Sequence, residues 1–128
     1  MRLLLDTHVL LWSVAQSSRL PDEARTLLED TDNTLYCSTA SLWEIAIKAA
    51  LRRADFEVDI RKLRQALARM GVVELPIEGR HTEMLMQLPA IHKDPFDRML
   101  VAQSMAEPLV LLTNDAALTA YWDGVKLI

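Results

Sequence analysis

The chain has one cysteine among its 128 residues, Cys37. That excludes an intrachain disulfide and any metal site built on several thiolates. Lying within an apolar stretch, Cys37 reads as a small buried hydrophobe rather than a nucleophile. Long apolar runs are missing as well: none approaches the roughly 18 residues that a membrane-spanning helix needs. The opening Met1-Arg2-Leu3-Leu4-Leu5 is broken by Asp6, so a secretory signal is not expected, and the expectation is a soluble cytoplasmic protein. There is no overall basic excess either, and a net charge of −4 argues against a general nucleic-acid coat. Internal repeats, low-complexity segments and linkers are absent from the sequence. Its length suits one domain, residues 1–128.

What is there is globular in composition, 51% hydrophobic and 25% charged. The charge is unevenly spread. Residues 1–47 carry three basic and seven acidic side chains, whereas residues 48–98 carry ten basic and eight acidic. That modest basic excess, which includes Lys48, Arg52, Arg53, Arg61, Lys62, Arg64 and Arg69, fits solvated helix faces as well as a side that meets a polyanion.

Hydrophobic periodicity and punctuation predict strands over 3–5, 34–38, 72–75, 109–113 and 125–127. They predict helices over 9–12, 21–30, 41–53, 59–70, 79–88 and 95–106, with a short one near 116. Short apolar strands alternating with helices are the pattern of a parallel sheet covered on both faces. The expected fold class is therefore α/β, a single-domain α/β/α sandwich with a mainly parallel central sheet. Two consecutive helices between the second and third strands suggest a helical hairpin beside it.

Four acids stand where strands end and helices begin. Asp6 ends the first strand, Glu44 falls in the first turn of the helix after the second, Asp97 opens the helix of "DPFD", and Asp115 in "TND" ends the fourth strand. Ligands of an open parallel sheet bind outside the carboxyl ends of its strands. Four carboxylates brought together there repel one another unless they are protonated or neutralised by a cation. An oxygen-rich cluster suits Mg²⁺ or Mn²⁺. Each acid taken alone is more simply a helix cap: Asp6, Asp94 and Asp115 as N-caps, and Ser41 with Glu44 as a capping box, Glu44 also pairing with Lys48. Only their common position at one rim favours a site.

The neighbouring polar residues divide similarly. Thr7, Ser38 and Asn114 either orient water or phosphate at such a centre or serve ordinary turns. Arg98 is either a phosphate-binding or a surface arginine. His8, His81 and His92 lack the spacing of zinc ligands. Trp12, Trp43 and Trp122 read as core or interface residues, and the six methionines as packing.

Taken together, "LLLDTHVLLW", "STASLWEIAIK", "HKDPFDRMLVAQS" and "LLTNDAAL" closely resemble PIN-domain ribonucleases of the VapC toxin type, over nearly the whole chain. The resemblance implies a PIN-like fold and a Mg²⁺- or Mn²⁺-dependent endoribonuclease, the toxin of a toxin–antitoxin pair. It carries the family's acidic quartet onto Asp6, Glu44, Asp97 and Asp115, with Asp6, Asp97 and Asp115 as metal ligands and Asp94 as a supporting acid. It also implies an RNA substrate, a cognate antitoxin and a homodimer, an apolar surface around Trp12 or Trp43 serving one of the two protein contacts. Residues 55–88 carry no comparable signature. Two other readings stay open: a phospho-receiver signalling domain, which the missing early acid pair disfavours, and a catalytically silent PIN binding module, which the intact quartet disfavours.

Overall fold

Leu3, Leu4 and Leu5 have no exposed surface, because the strand they form is covered on both faces. That strand, β1 (Arg2–Leu5), is the middle of a five-stranded sheet completed by β2 (Thr34–Ser38), β3 (Val73–Leu75), β4 (Val110–Thr113) and β5 (Val125–Leu127). The structure, a computed structural model, describes residues 1–51 and 57–128. The strand order is β3-β2-β1-β4-β5 and every pairing is parallel, so the sheet is wholly rather than mainly parallel.

The helices are α1 (Thr7–Ala15), α2 (Asp22–Glu29), α3 (Thr39–Ala50), α4 (Ile60–Arg69), α5 (Gly79–Met86) and α6 (Pro95–Ala106), followed by a 3₁₀ turn at Ala116–Ala120. Successive side chains of a strand point to opposite faces, and β1 divides its leucines accordingly. Leu3 and Leu5 pack with Val9, Leu10, Ala24, Ile45, Leu63 and Leu67 from α1 to α4. Leu4 packs on the other side with Leu100, Val101 and Leu111, beside Met84 and Leu85 of α5. Two cores on one sheet make the expected sandwich, and truncating one of these buried leucines to alanine costs about 2–5 kcal/mol.

The helix boundaries differ from expectation at α3. Ser38, not Ser41, is its N-cap, its hydroxyl accepting from the Ala40 N–H at 3.0 Å. The capping box expected of Ser41 and Glu44 is not formed. Both residues lie inside the helix with their side chains turned to other partners, because the chain already enters the helix at Thr39. α3 ends at Ala50 with Leu51 as its cap, and the expected continuation to Arg53 falls outside the described residues. α4 does stop at the predicted glycine: Gly71 takes φ +76°, and the amides of Gly71 and Val72 close onto Ala68 and Leu67. The expected pair of helices between β2 and β3 is present as α3 and α4.

In this order the chain moves from β1 to β2 on one side and returns to β4 on the other. The switch point therefore lies between β1 and β4, where a crevice opens at the carboxyl ends of the strands.

Candidate active site

β1 delivers Asp6 to that crevice. Its Oδ1 accepts from the Val9 N–H at 2.9 Å, so it caps α1 through one oxygen alone. Oδ2 accepts from the hydroxyl of Thr113 at the end of β4. The same Thr113 oxygen accepts from the Asp115 N–H at 3.0 Å, tying the two strand-end acids through one side chain. Asp115 in turn caps the 3₁₀ turn by accepting from the Ala117 N–H at 3.0 Å. Cap and site residue are thus one and the same at both positions.

Glu44 reaches the rim from the second turn of α3 and is buried, only 7% exposed. Thr7 Oγ1 lies 2.7 Å from Glu44 Oε1 and 3.0 Å from Ser41 Oγ. A hydroxyl has one proton, so Thr7 donates to the carboxylate and accepts from Ser41. Lys48, one turn on, donates to Glu44 Oε2 at 2.9 Å, the expected pair. Both Glu44 oxygens are therefore held.

α6 supplies the remaining acids. Asp94 is its N-cap, Oδ1 accepting from the Phe96 and Asp97 amides at 2.8 and 3.2 Å, with Pro95 at the first helical position. This aims Asp97 from the third helical position toward the strand ends. His92 completes the turn: its Nδ1 accepts from the Asp94 N–H at 3.0 Å, and its Nε2 lies 3.0 Å from Asp115 Oδ2 and 3.7 Å from Asp97 Oδ2.

The electrostatics follow from this convergence. Asp97 is pushed up from 3.8 to about 7, first by burial and then by the negative charges of Asp94, Asp6 and Glu44. Three acids scattered in the sequence thus all raise a fourth. Asp6 is also raised, by burial, although hydrogen bonds from Thr113, Val9 and the Asn114 backbone oppose the shift. A centre of carboxylate oxygens that resists its own ionisation fits a hard divalent cation, which removes that conflict.

The other residues singled out from sequence have more modest places. Ser38 is fully buried as the α3 cap. Asn114 contributes its backbone N–H to Asp6, its side chain standing exposed. Arg98 directs Nη1 to the Pro89 carbonyl at 2.9 Å and to the Tyr121 hydroxyl at 3.3 Å. Trp43 is 60% exposed and meets Phe96 edge-on, with ring centroids 5.2 Å apart. Cys37 is fully buried and its thiol is pushed up to about 12 by burial.

Sequence reasoning missed Thr113 as a partner of Asp6 and Ser41 as a partner of Thr7, and it considered His92 only to set aside a zinc site. The signal for His92 was its place two residues before the Asp94 cap, where a side chain folds back on the turn. A second carboxylate–histidine group, Glu78, His81 and Glu107, forms between α5 and α6. There Arg80 already bonds both glutamates and supplies the positive charge.

Comparison with known proteins identifies the fold and the family. Solved structures share the fold, these three among others. VapBC2 of Rickettsia felis, bound to a DNA fragment of its promoter, matches at TM-score 0.69 and 15% identity, over 100% of this chain and 98% of that one. A toxin–antitoxin complex from Klebsiella pneumoniae matches at 0.66 and 22%, over 96% and 94%. FitAcB of Neisseria gonorrhoeae matches at 0.60 and 16%, over 91% and 89%. No curated protein sequence matches the chain. The family model of the PIN domain matches residues 3–121, from β1 through the turn after Asp115, and the chain belongs to the PIN domain family.

Proposed function

We propose that this protein is a Mg²⁺- or Mn²⁺-dependent endoribonuclease, the toxin of a toxin–antitoxin pair, and that residues 1–128 act as one nuclease unit. The observation that carries the reading is the gathering of Asp6, Glu44, Asp97 and Asp115 at one strand-end rim, where burial first, and then the charges of Asp94, Asp6 and Glu44, push Asp97 up to about 7. The toxin–antitoxin complex from Klebsiella pneumoniae, which shares the fold, supports an antitoxin partner.

Asp6, Asp97 and Asp115 are the ligands in this reading. They would hold a divalent cation, and the chemistry it would supply is Lewis-acid activation of water and neutralisation of charge at the scissile phosphate. Glu44, fixed by Thr7 and Lys48, is a stationary negative wall that completes the rim. Asp97, whose carboxylate accepts no side-chain hydrogen bond among the described residues, orients the attacking water or takes its proton. Thr7 and Thr113 keep the acids in register, and Asp94 aims Asp97. The reaction is an in-line attack on an RNA phosphodiester, carried out in the cytoplasm by a homodimer. No helix among the described residues is long and apolar enough to cross a membrane.

The alternative within the family is a binding scaffold without catalysis. The test is incubation of purified, antitoxin-free protein with transfer, ribosomal and messenger RNA, with and without Mn²⁺, followed by mapping of the ends. Mn²⁺-dependent cuts that vanish in Asp6→Asn support the nuclease; no cutting of any RNA favours the scaffold.

A further inference from the structure

We propose that His92 is the positioning residue of this centre: through its Nε2–H it orients Asp115 toward the cation, and it is not itself a ligand. The proposal rests on reading the quartet as a cation site. An imidazole among carboxylates invites the opposite assignment, since the ligand-capable atoms of His92, Asp97 and Asp115 lie within 4.8 Å of one another. Hydrogen bonding decides between them.

Nδ1 of His92 accepts from the backbone N–H of Asp94 at 3.0 Å. Its lone pair is therefore in use, and a neutral ring has its single proton on Nε2. That proton faces Asp115 Oδ2 at 3.0 Å, with Asp97 Oδ2 beyond it at 3.7 Å. To ligate a cation through Nε2, the ring must move its proton to Nδ1, where it collides with the Asp94 N–H. The turn thus selects a donor and excludes a ligand. Carboxylates that bind metal are themselves held by hydrogen bonds, and such partners set affinity.

The backbone that carries the ring is anchored as well. The backbone N–H of His92 donates to the Tyr121 hydroxyl at 2.8 Å, and Arg98 braces that hydroxyl and the Pro89 carbonyl. Asp94 links both ends of the device, since its N–H orients the imidazole while its carboxylate caps the helix that presents Asp97. One turn therefore aims two of the acids, one directly and one through a histidine.

Two substitutions separate the roles of the ring nitrogens. Asn at 92 places an acceptor near Nδ1, keeping the bond from Asp94, but falls short of Asp115. Gln extends an amide N–H to about the position of Nε2. We expect His92→Asn to fold as wild type by circular dichroism and to bind Mn²⁺ about 10- to 100-fold more weakly, with His92→Gln recovering most of the loss. Unchanged Mn²⁺ affinity in His92→Asn, or no recovery in His92→Gln, overturns the proposal. So does direct ¹⁴N coupling from imidazole in the electron spin-echo spectrum of the Mn²⁺-loaded protein. Metal-free protein provides a separate readout: ¹⁵N NMR of the neutral His92 ring should find its proton on Nε2, and a proton on Nδ1 overturns the inference. If wild type shows the Nε2 proton yet binds no Mn²⁺, it is the reading of the quartet that has failed, and the positioning role falls with it.

Discussion

Thr113 at the end of β4 donates its hydroxyl to Asp6 at the end of β1, two residues 107 positions apart in the chain. Through the Asp115 N–H, which it accepts, the same oxygen joins the two acids flanking the switch point. This small side chain is fully buried, so neither bond can be replaced by water at no cost.

Thr113→Val keeps the shape and removes the hydroxyl. It leaves the Asp6 oxygen and the Asp115 N–H short of a partner, and the expected loss is about 1–3 kcal/mol, read as a lower urea midpoint with unchanged m. Thr113→Ser should retain most of the stability. If Val unfolds at the wild-type midpoint, the bridge contributes nothing.

Asp6→Asn and Asp97→Asn should abolish metal-dependent RNA cleavage while leaving the circular dichroism spectrum native. For Asp97 the two readouts should part company. At pH 8 the ionised carboxylate works against folding, so the metal-free Asp97→Asn protein should melt no lower than wild type although its activity is gone. Wild-type cleavage in either variant would remove that residue from the proposed site.

The stability of the metal-free protein should fall as pH rises from 5 to 7.5. Asp97 ionises at 3.8 in the unfolded chain and at about 7 in the folded one, so across that window the native state holds a proton the unfolded state has lost. Folding is therefore favoured at the acid end. Glu74 and Glu107, lowered by Arg64 and Arg80, act with the opposite sign but below 4.5 and do not mask the trend. Urea midpoints at pH 5, 6 and 7.5 test this, with Asp97→Asn expected to flatten the profile. Mn²⁺ should restore stability at the alkaline end, since it binds the ionised native site.

Cys37 should resist alkylation in the native protein. It is fully buried and its thiol is pushed up to about 12, so at pH 8 almost no thiolate is present or accessible. Iodoacetamide should modify it only in denaturant, and rapid labelling of native protein would contradict the buried strand position.

Asp94 and Asp97 show how much was legible in advance. Asp-Pro followed two residues later by a second acid reads as a helix start from local rules, and α6 does begin at Pro95 with Asp94 as cap. Glu44 shows the limit. Ser41 and Glu44 have the spacing of a capping box, yet the hydroxyl of Ser38 takes the cap and leaves Glu44 one turn further in, where Thr7 and Lys48 hold it. Several residues competed for one local role, and the point where the chain enters the helix, at Thr39, gives it to Ser38. His92 is a stronger case, since its partner Asp115 is 23 residues away and no spacing rule links them.

The sequence by itself determined the alternation of apolar strands and helices, the parallel sheet, the helix starts at Asp6, Asp94 and Asp115, and the family resemblance carried by four short stretches. Those features depend on interactions within a few residues, or on periodicity, and they survive without knowledge of neighbours. Only the tertiary structure decided which side chains meet at the rim: Thr113 between Asp6 and Asp115, Thr7 on Glu44, His92 on Asp115, and three acids raising Asp97. Hydrogen bonds and mutual charge act over a few ångströms of space, and the parallel order β2-β1-β4 is what brings those residues within that range.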